Sequence, residues 1–315
     1  TGLGKTLTFF APLLFNNNGI KIIITALNVL GEKNEQELKE LGINAINITA
    51  ATNMQQTFKD IAQGKYRVII TSPEVIMNDS KFQFEWGNDF RPDYADLGRL
   101  RWILPSHVHF HVVSATMPDS TLADVKKKLQ MKDSETVIIR RSNDRPNVHI
   151  TVEEMKFSAA SAKDVERILR THVWSVSPPP SFMVFANARR ETERGVESAW
   201  ENLPDDMRKK IIWFHAGMSD KFWRESIERI RKGEVYGGWF TDCGGMGLDI
   251  PFIQIIIQFR YVKSLCVLMQ RFGRAGRGIG TEACAIYLVE PKYFDCNKTQ
   301  GAPTGQKRPA KGGQK

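Results

Sequence analysis

Cysteine is scarce in this chain, and acidic residues are outnumbered. The 315 residues include four cysteines, Cys243, Cys266, Cys284 and Cys296, and no Cys-x-x-Cys pair. Such spacing argues against a zinc site and against a disulfide framework, and it fits a reducing compartment. No apolar run approaches the about 18–20 residues needed to span a bilayer, so no membrane partner is expected. Neither a signal peptide nor an initiator methionine opens the chain, which begins inside a motif; we expect a fragment of a longer protein. Lys and Arg total 44 against 35 Asp and Glu, a formal net charge of +9. That balance favours a polyanionic partner such as nucleic acid, although many soluble proteins are mildly basic.

What is present reads as a soluble globular protein, with 42% hydrophobic and 25% charged residues. The length accommodates two α/β domains. Short apolar runs alternate with helical stretches, the pattern of parallel α/β units. Buried strands are predicted at 21–25, 67–71 and 109–114, and again at 181–185, 211–214 and 253–257. Between the two series lies a polar, basic stretch, Arg140-Arg141-Ser142-Asn143-Asp144-Arg145-Pro146-Asn147, the best candidate for a domain boundary. Beyond Asp295 the composition collapses to a few small and polar types with Lys298, Lys307, Arg308, Lys311 and Lys315 and no acidic residue, a disordered basic arm.

Two motifs carry chemistry. Thr1-Gly2-Leu3-Gly4-Lys5-Thr6 is the distal half of a phosphate-binding loop. Its glycines let backbone N–H groups face phosphate oxygens at a helix N-terminus, Lys5 reaches the β- and γ-phosphates, and the Thr6 hydroxyl holds Mg²⁺. Near the other end, Gln270-Arg271-Phe272-Gly273-Arg274-Ala275-Gly276-Arg277 sets two arginines three apart, each after a glycine. Guanidinium forks there suit a polyanion; a solvated basic turn is the alternative. Thr241–Asp249 (TDCGGMGLD) is glycine-rich, permitting close backbone approach to a ligand, and its two aspartates, Asp242 and Asp249, could orient water or brace a facing domain. A plain turn after a strand is the alternative, as it is for Ser114-Ala115-Thr116, where small hydroxyls could otherwise relay nucleotide state.

In order, the chain carries Thr1–Thr6, Thr71-Ser72-Pro73-Glu74, Ser114-Ala115-Thr116, Phe214-His215-Ala216-Gly217-Met218, Thr241–Asp249 and Gln270–Arg277. The series resembles that of superfamily 2 helicases. Trp86-Gly87-Asn88-Asp89-Phe90-Arg91-Pro92-Asp93-Tyr94 resembles the aromatic-rich loop of the RecQ family, and the resemblance covers roughly residues 1 to 295. It implies two RecA-like, doubly wound parallel-sheet domains of the phosphate-loop type, at 1–141 and 142–296, followed by the tail at 297–315. It further implies ATP bound between the domains and 3′-to-5′ translocation on single-stranded or forked DNA. On that pattern Thr1, Gly2, Gly4, Lys5, Thr6 and Asp249 bind nucleotide, while Thr6 serves Mg²⁺. Arg274 and Arg277 face the γ-phosphate with Gln270 beside them, and Trp86, Phe90 and Arg91 couple DNA contact to hydrolysis. For Trp86 and Phe90, core packing is the bland alternative, but aromatics set beside Arg and Asp suit base stacking and phosphate contact. Nuclear location and service in DNA repair and recombination are the matching expectations.

The chain also departs from the family. Members carry Asp-Glu-x-His at a strand end before the aromatic-rich loop, whereas the eight residues before Trp86 here are Asn78-Asp79-Ser80-Lys81-Phe82-Gln83-Phe84-Glu85. We read a deletion near 75–86 that leaves the first domain incomplete, its sheet short of one strand between Ile70 and Trp102. The upstream glutamine motif, the cysteines of the family's zinc module and a winged-helix domain are also missing from the sequence. Two functions follow from these facts: an ATP-dependent DNA helicase motor, or a catalytically impaired nucleic-acid-binding remnant of one. An unrelated phosphate-loop ATPase leaves Trp86–Tyr94 unexplained.

Overall fold

The computed structural model describes residues 5–16, 19–25, 28–49, 52–76, 97–105, 107–114, 116–176, 178–201, 203–215, 217–242, 250–278 and 280–295, with the side chains of Lys5 and Thr6 outside the described set. The chain divides into two compact units, Thr1–Asp144 and Arg145–Lys315. The break falls inside the polar stretch 140–147.

In the first unit, helix α1 (Lys5–Phe15) leads to β1 (Lys21–Ile24), α2 (Asn28–Glu40), β2 (Ala45–Ile48), α3 (Gln55–Ala62) and β3 (Val68–Thr71). The strands form a parallel sheet in the order β1-β3-β2, with Val68 paired to both Lys21 and Ala45. Ile23, Ala45, Val68 and Ile70 form one core with Phe10 and Leu13 of α1 and Leu38 of α2. Short helical turns at Pro73–Ile76, Leu97–Arg99 and Leu100–Ile103 precede α4 (Asp119–Lys128). Among the described residues between Thr71 and Trp102 there is no strand; residues 77–96 lie outside them.

Segment 109–114 is not the strand its sequence predicts. It runs without regular structure and pairs with no strand among the described residues. His111 and Val112 are exposed, and the His111 ring leans on Phe9 at 5.3 Å between centroids. A buried parallel strand needs apolar side chains on both faces, and two histidines interrupt that run.

The second unit carries β4 (Val148–Glu154), α5 (Lys163–Leu169), β5 (Phe182–Phe185), α6 (Arg189–Glu201), β6 (Ile211–Phe214), α7 (Asp220–Arg231), β7 (Gly237–Phe240), β8 (Ile255–Phe259), α8 (Leu265–Phe272) and β9 (Ala283–Val289). Its sheet is parallel throughout, in the order β4-β9-β8-β5-β7-β6. The strand period of two sends alternate residues into two separate cores. Phe182, Val184, Trp239, Ile257 and Leu288 pack with Val165, Ile168 and Val196 of α5 and α6. Met183, Phe185, Phe240 and Ile256 pack with Ile230, Leu268 and Phe272 of α7 and α8. Helices therefore cover both faces, the doubly wound arrangement. The chain order reverses around β5, so the carboxyl ends of β5, β7 and β8 form a switch point, where open α/β sheets bind ligands.

Candidate functional site

In the first unit, α1 starts at Lys5, directly after the glycine segment. Its first N–H groups have no intrahelical acceptors and carry the positive end of the helix dipole, which suits phosphate. Thr1, Gly2 and Gly4 lie outside the described residues, as do the side chains of Lys5 and of Thr6, the expected magnesium ligand. Ser114 Oγ donates to the Thr116 carbonyl at 2.8 Å and accepts the Thr116 N–H at 3.3 Å, so this hydroxyl closes its own turn.

The arginine motif lies in the second unit. Helix α8 ends at Phe272, and the chain turns through Gly273–Gly278 on the arginine motif. Arg271 lies inside, 5% exposed. Its Nε and Nη2 meet the two oxygens of Asp242 at 2.8 Å each. Nη1 donates to Asn187 Oδ1 at 3.1 Å and also to Gln258 Oε1. One guanidinium thus ties the ends of β5, β7 and β8 together. Asp242, which sequence alone offered as a water-orienting or domain-bracing acid, has its carboxylate held by Arg271.

Arg274 and Arg277 are half-buried, and Gln270 is exposed on α8. Arg277 Nε donates to the Gly273 carbonyl at 3.2 Å. The backbone beneath the two arginines is held from several sides. Gly276 N–H donates to the Ile253 carbonyl and Gly278 N–H to that of Pro251, both at 2.8 Å. Arg145 Nη2 donates to the carbonyls of Ala275 and Gly276 at 3.1 and 2.6 Å. Asn147 Nδ2 donates to those of Gly276 and Thr281, both at 2.8 Å. Gly276 sits at φ +55°, the left-handed region, and a Cβ there would stand 2.7 Å from Asn147 Nδ2.

A neighbouring pair fixes the end of β6. His215 Nδ1 accepts the Gly217 N–H at 3.1 Å, which leaves Nε2 as the donor to Glu193 Oε1 at 3.0 Å. Asp249, Trp86, Phe90 and Arg91 lie outside the described residues. Sequence reasoning missed Arg145, Asn147, Asn187 and Gln258. Asn187 and Gln258 carry only the signal of polarity beside a predicted strand, and Arg145 and Asn147 only that of a polar linker.

The arginine turn fits a polyanion such as a triphosphate: two half-buried cations on a backbone immobilised before any ligand arrives. Among the described residues no three His, Cys, Asp or Glu side chains converge to hold a metal ion.

Residues 1–125 match the DEAD/DEAH box helicase family, and residues 162–278 match the helicase conserved C-terminal domain. Together these span most of the chain and, on two parallel-sheet units, define a superfamily 2 helicase. The ATP-dependent DNA helicase RecQ of Haemophilus influenzae (strain Rd) is 27% identical over 93% of this chain and 48% of its own length. RecQ of Pasteurella multocida is 28% identical over 93% of this chain and 47% of its own. The DUF1998 helicase MrfA, solved bound to DNA, matches with a TM-score of 0.66 at 16% identity, covering 91% of this chain and 43% of that one. The chain belongs to the RecQ family of superfamily 2 helicases. It spans about half the length of the RecQ relatives it matches.

Proposed function

We propose that this chain is a RecQ-type motor core that binds ATP and single-stranded DNA and couples the two to 3′-to-5′ translocation and duplex opening. The observation that carries the reading is the braced arginine turn: Arg274 and Arg277 stand on a backbone fixed by Arg145, Asn147 and the left-handed Gly276. Phosphoryl transfer depends mostly on positioning and charge stabilisation, and arginines held in advance supply both. In this reading Lys5 and the α1 N-terminus grip the β- and γ-phosphates, Asp249 contributes to nucleotide binding, and Gln270 acts with the two arginines. Thr6 would hold Mg²⁺, which would supply charge neutralisation for phosphoryl transfer. Trp86 and Phe90 stack bases and Arg91 contacts phosphate. DNA as the partner draws support from the names of the RecQ relatives and from MrfA, solved on DNA.

The test is nucleotide and DNA binding by the intact chain. Lys5→Ala should abolish ATP binding, and Arg277→Ala should lower both ATP affinity and any hydrolysis. Trp86→Ala and Phe90→Ala should weaken DNA across a salt series. Unchanged binding in both aromatic variants would make them core residues.

The second reading, a nucleic-acid-binding remnant without turnover, is favoured by one observation: no Asp-Glu pair occurs anywhere in the sequence. The two readings share binding and differ in hydrolysis.

A further inference from the structure

Tyr261 and Tyr293 stack with ring centroids 4.1 Å apart and planes 16° from parallel. Both residues remain exposed, at 39% and 40%. Buried aromatic pairs are ordinary packing, whereas a parallel pair left this open presents flat π surface to solvent. Tyr261 follows the carboxyl end of β8 and Tyr293 follows that of β9, on the edge of the sheet where Asn187 and Asp242 also lie. Neither tyrosine belongs to the motifs described above.

The pair is built into place. Arg260, just before Tyr261, sits at φ +70°, a conformation that residues with a Cβ adopt only when their surroundings force it. Its guanidinium is held by Glu290 at 2.9 Å and by Glu191. Glu290 also accepts the Tyr261 N–H at 3.0 Å, and Asn187 Nδ2 donates to the Tyr261 carbonyl at 2.9 Å. Glu191 and Glu290 are thus both engaged by Arg260. Lys292 Nζ lies over the Tyr293 ring, 4.9 Å from its centre, a cation at one end of the stack.

We propose that Tyr261 and Tyr293 form a stacking platform for a base of single-stranded DNA, with Lys292 beside it for the adjoining phosphate. Every base has a π face, so such a platform is indifferent to sequence, and the chain's net charge of +9 favours the strand. The inference rests on the DNA-binding reading above and adds a contact outside the Trp86–Arg91 loop.

The test uses the intact chain and a fluorescent oligo-dT. Failure of the wild type to bind oligo-dT would end the DNA-binding reading itself, and with it the platform. Given binding, Tyr261→Ala and Tyr293→Ala should each weaken it on the order of tenfold. Tyr261→Phe and Tyr293→Phe, which keep the ring, should bind as the wild type does. An oligonucleotide of abasic sugars keeps the phosphates and loses the bases; the alanine variants should bind it as well as the wild type does. Equal oligo-dT binding by wild type and both alanine variants would overturn the platform. An alanine effect equally large on the abasic strand would overturn it too, as would a loss confined to ATP affinity.

Discussion

Arg271 closes a two-bonded fork on Asp242, both contacts at 2.8 Å, between a helix and a strand end 29 residues apart in sequence. The guanidinium is buried, while the Asp242 side chain is 52% exposed. The partners are therefore unequal. Removing the acid leaves a buried cation with the amide oxygens of Asn187 and Gln258 and the face of the Phe185 ring, but no counter-charge from Asp242. Asp242→Ala should cost roughly 1–3 kcal/mol, below the range for a fully buried pair because water reaches the carboxylate. A denaturant titration checks this: the midpoint should fall with its slope unchanged.

Gly276 gives a sharper test of the arginine turn. Its left-handed φ costs a residue with a Cβ about 1–2 kcal/mol, and the added carbon would press on Asn147. Gly276→Ala should lower stability by at least that amount and shift Arg277, reducing nucleotide affinity. Asn147→Ala relieves the clash yet removes two bonds to the turn, so the double variant should not recover wild-type affinity. Thermal melts and fluorescent-nucleotide titrations of the two single variants and the double variant decide it.

The acid dependence of the second unit should centre on Glu290. Burial alone would raise its pKa, but the Tyr261 N–H and the Arg260 guanidinium outweigh burial and hold it below the ordinary carboxylate value. A depressed folded pKa means stability present above the unfolded value and lost as pH falls through the folded one. Stability should therefore decline below about pH 4.5. Glu290→Gln should be less stable than wild type at neutral pH, and the gap should close in acid. A gap constant from pH 7 to pH 3 would refute the assignment.

The sequence made β1, β3, β5, β6 and β8 visible as short apolar runs, the pattern of parallel strands, while β2 and β9 went unpredicted. Val68-Ile69-Ile70 and Ile255-Ile256-Ile257 are such runs; in Ile22-Ile23-Ile24 the run is apolar but Ile22 stays exposed. Strand β7 escaped because it opens with two glycines. A Cβ on Gly238 would lie 2.0 Å from the Ile212 carbonyl oxygen, so tertiary crowding, not strand propensity, selects glycine there. Strand β4 escaped as an edge strand with exposed polar residues. The arginine motif was legible; its braces were not, because Arg145 meets Gly276 across 131 residues. In the sequence, Arg145 and Asn147 were indistinguishable from linker.

Turnover is the last expectation. Hydrolysis needs a bound metal and an oriented water as well as charge stabilisation. Arg274, Arg277, Lys5 and Thr6 account for charge and metal contact. No acidic pair precedes Trp86, and Pro73–Ile76, where the approach to one would begin, is a helical turn. Loss of a general base typically costs about 10²–10⁴-fold. On the second reading, the remnant, the polypeptide as written should bind ATP, hydrolyse it very slowly and leave duplexes closed. Inserting a strand followed by Asp-Glu-x-His before Trp86 should restore both activities. DNA-stimulated ATPase from the unmodified chain, abolished by Lys5→Ala, would show that another group orients the water, and Asp79 would be the first to test.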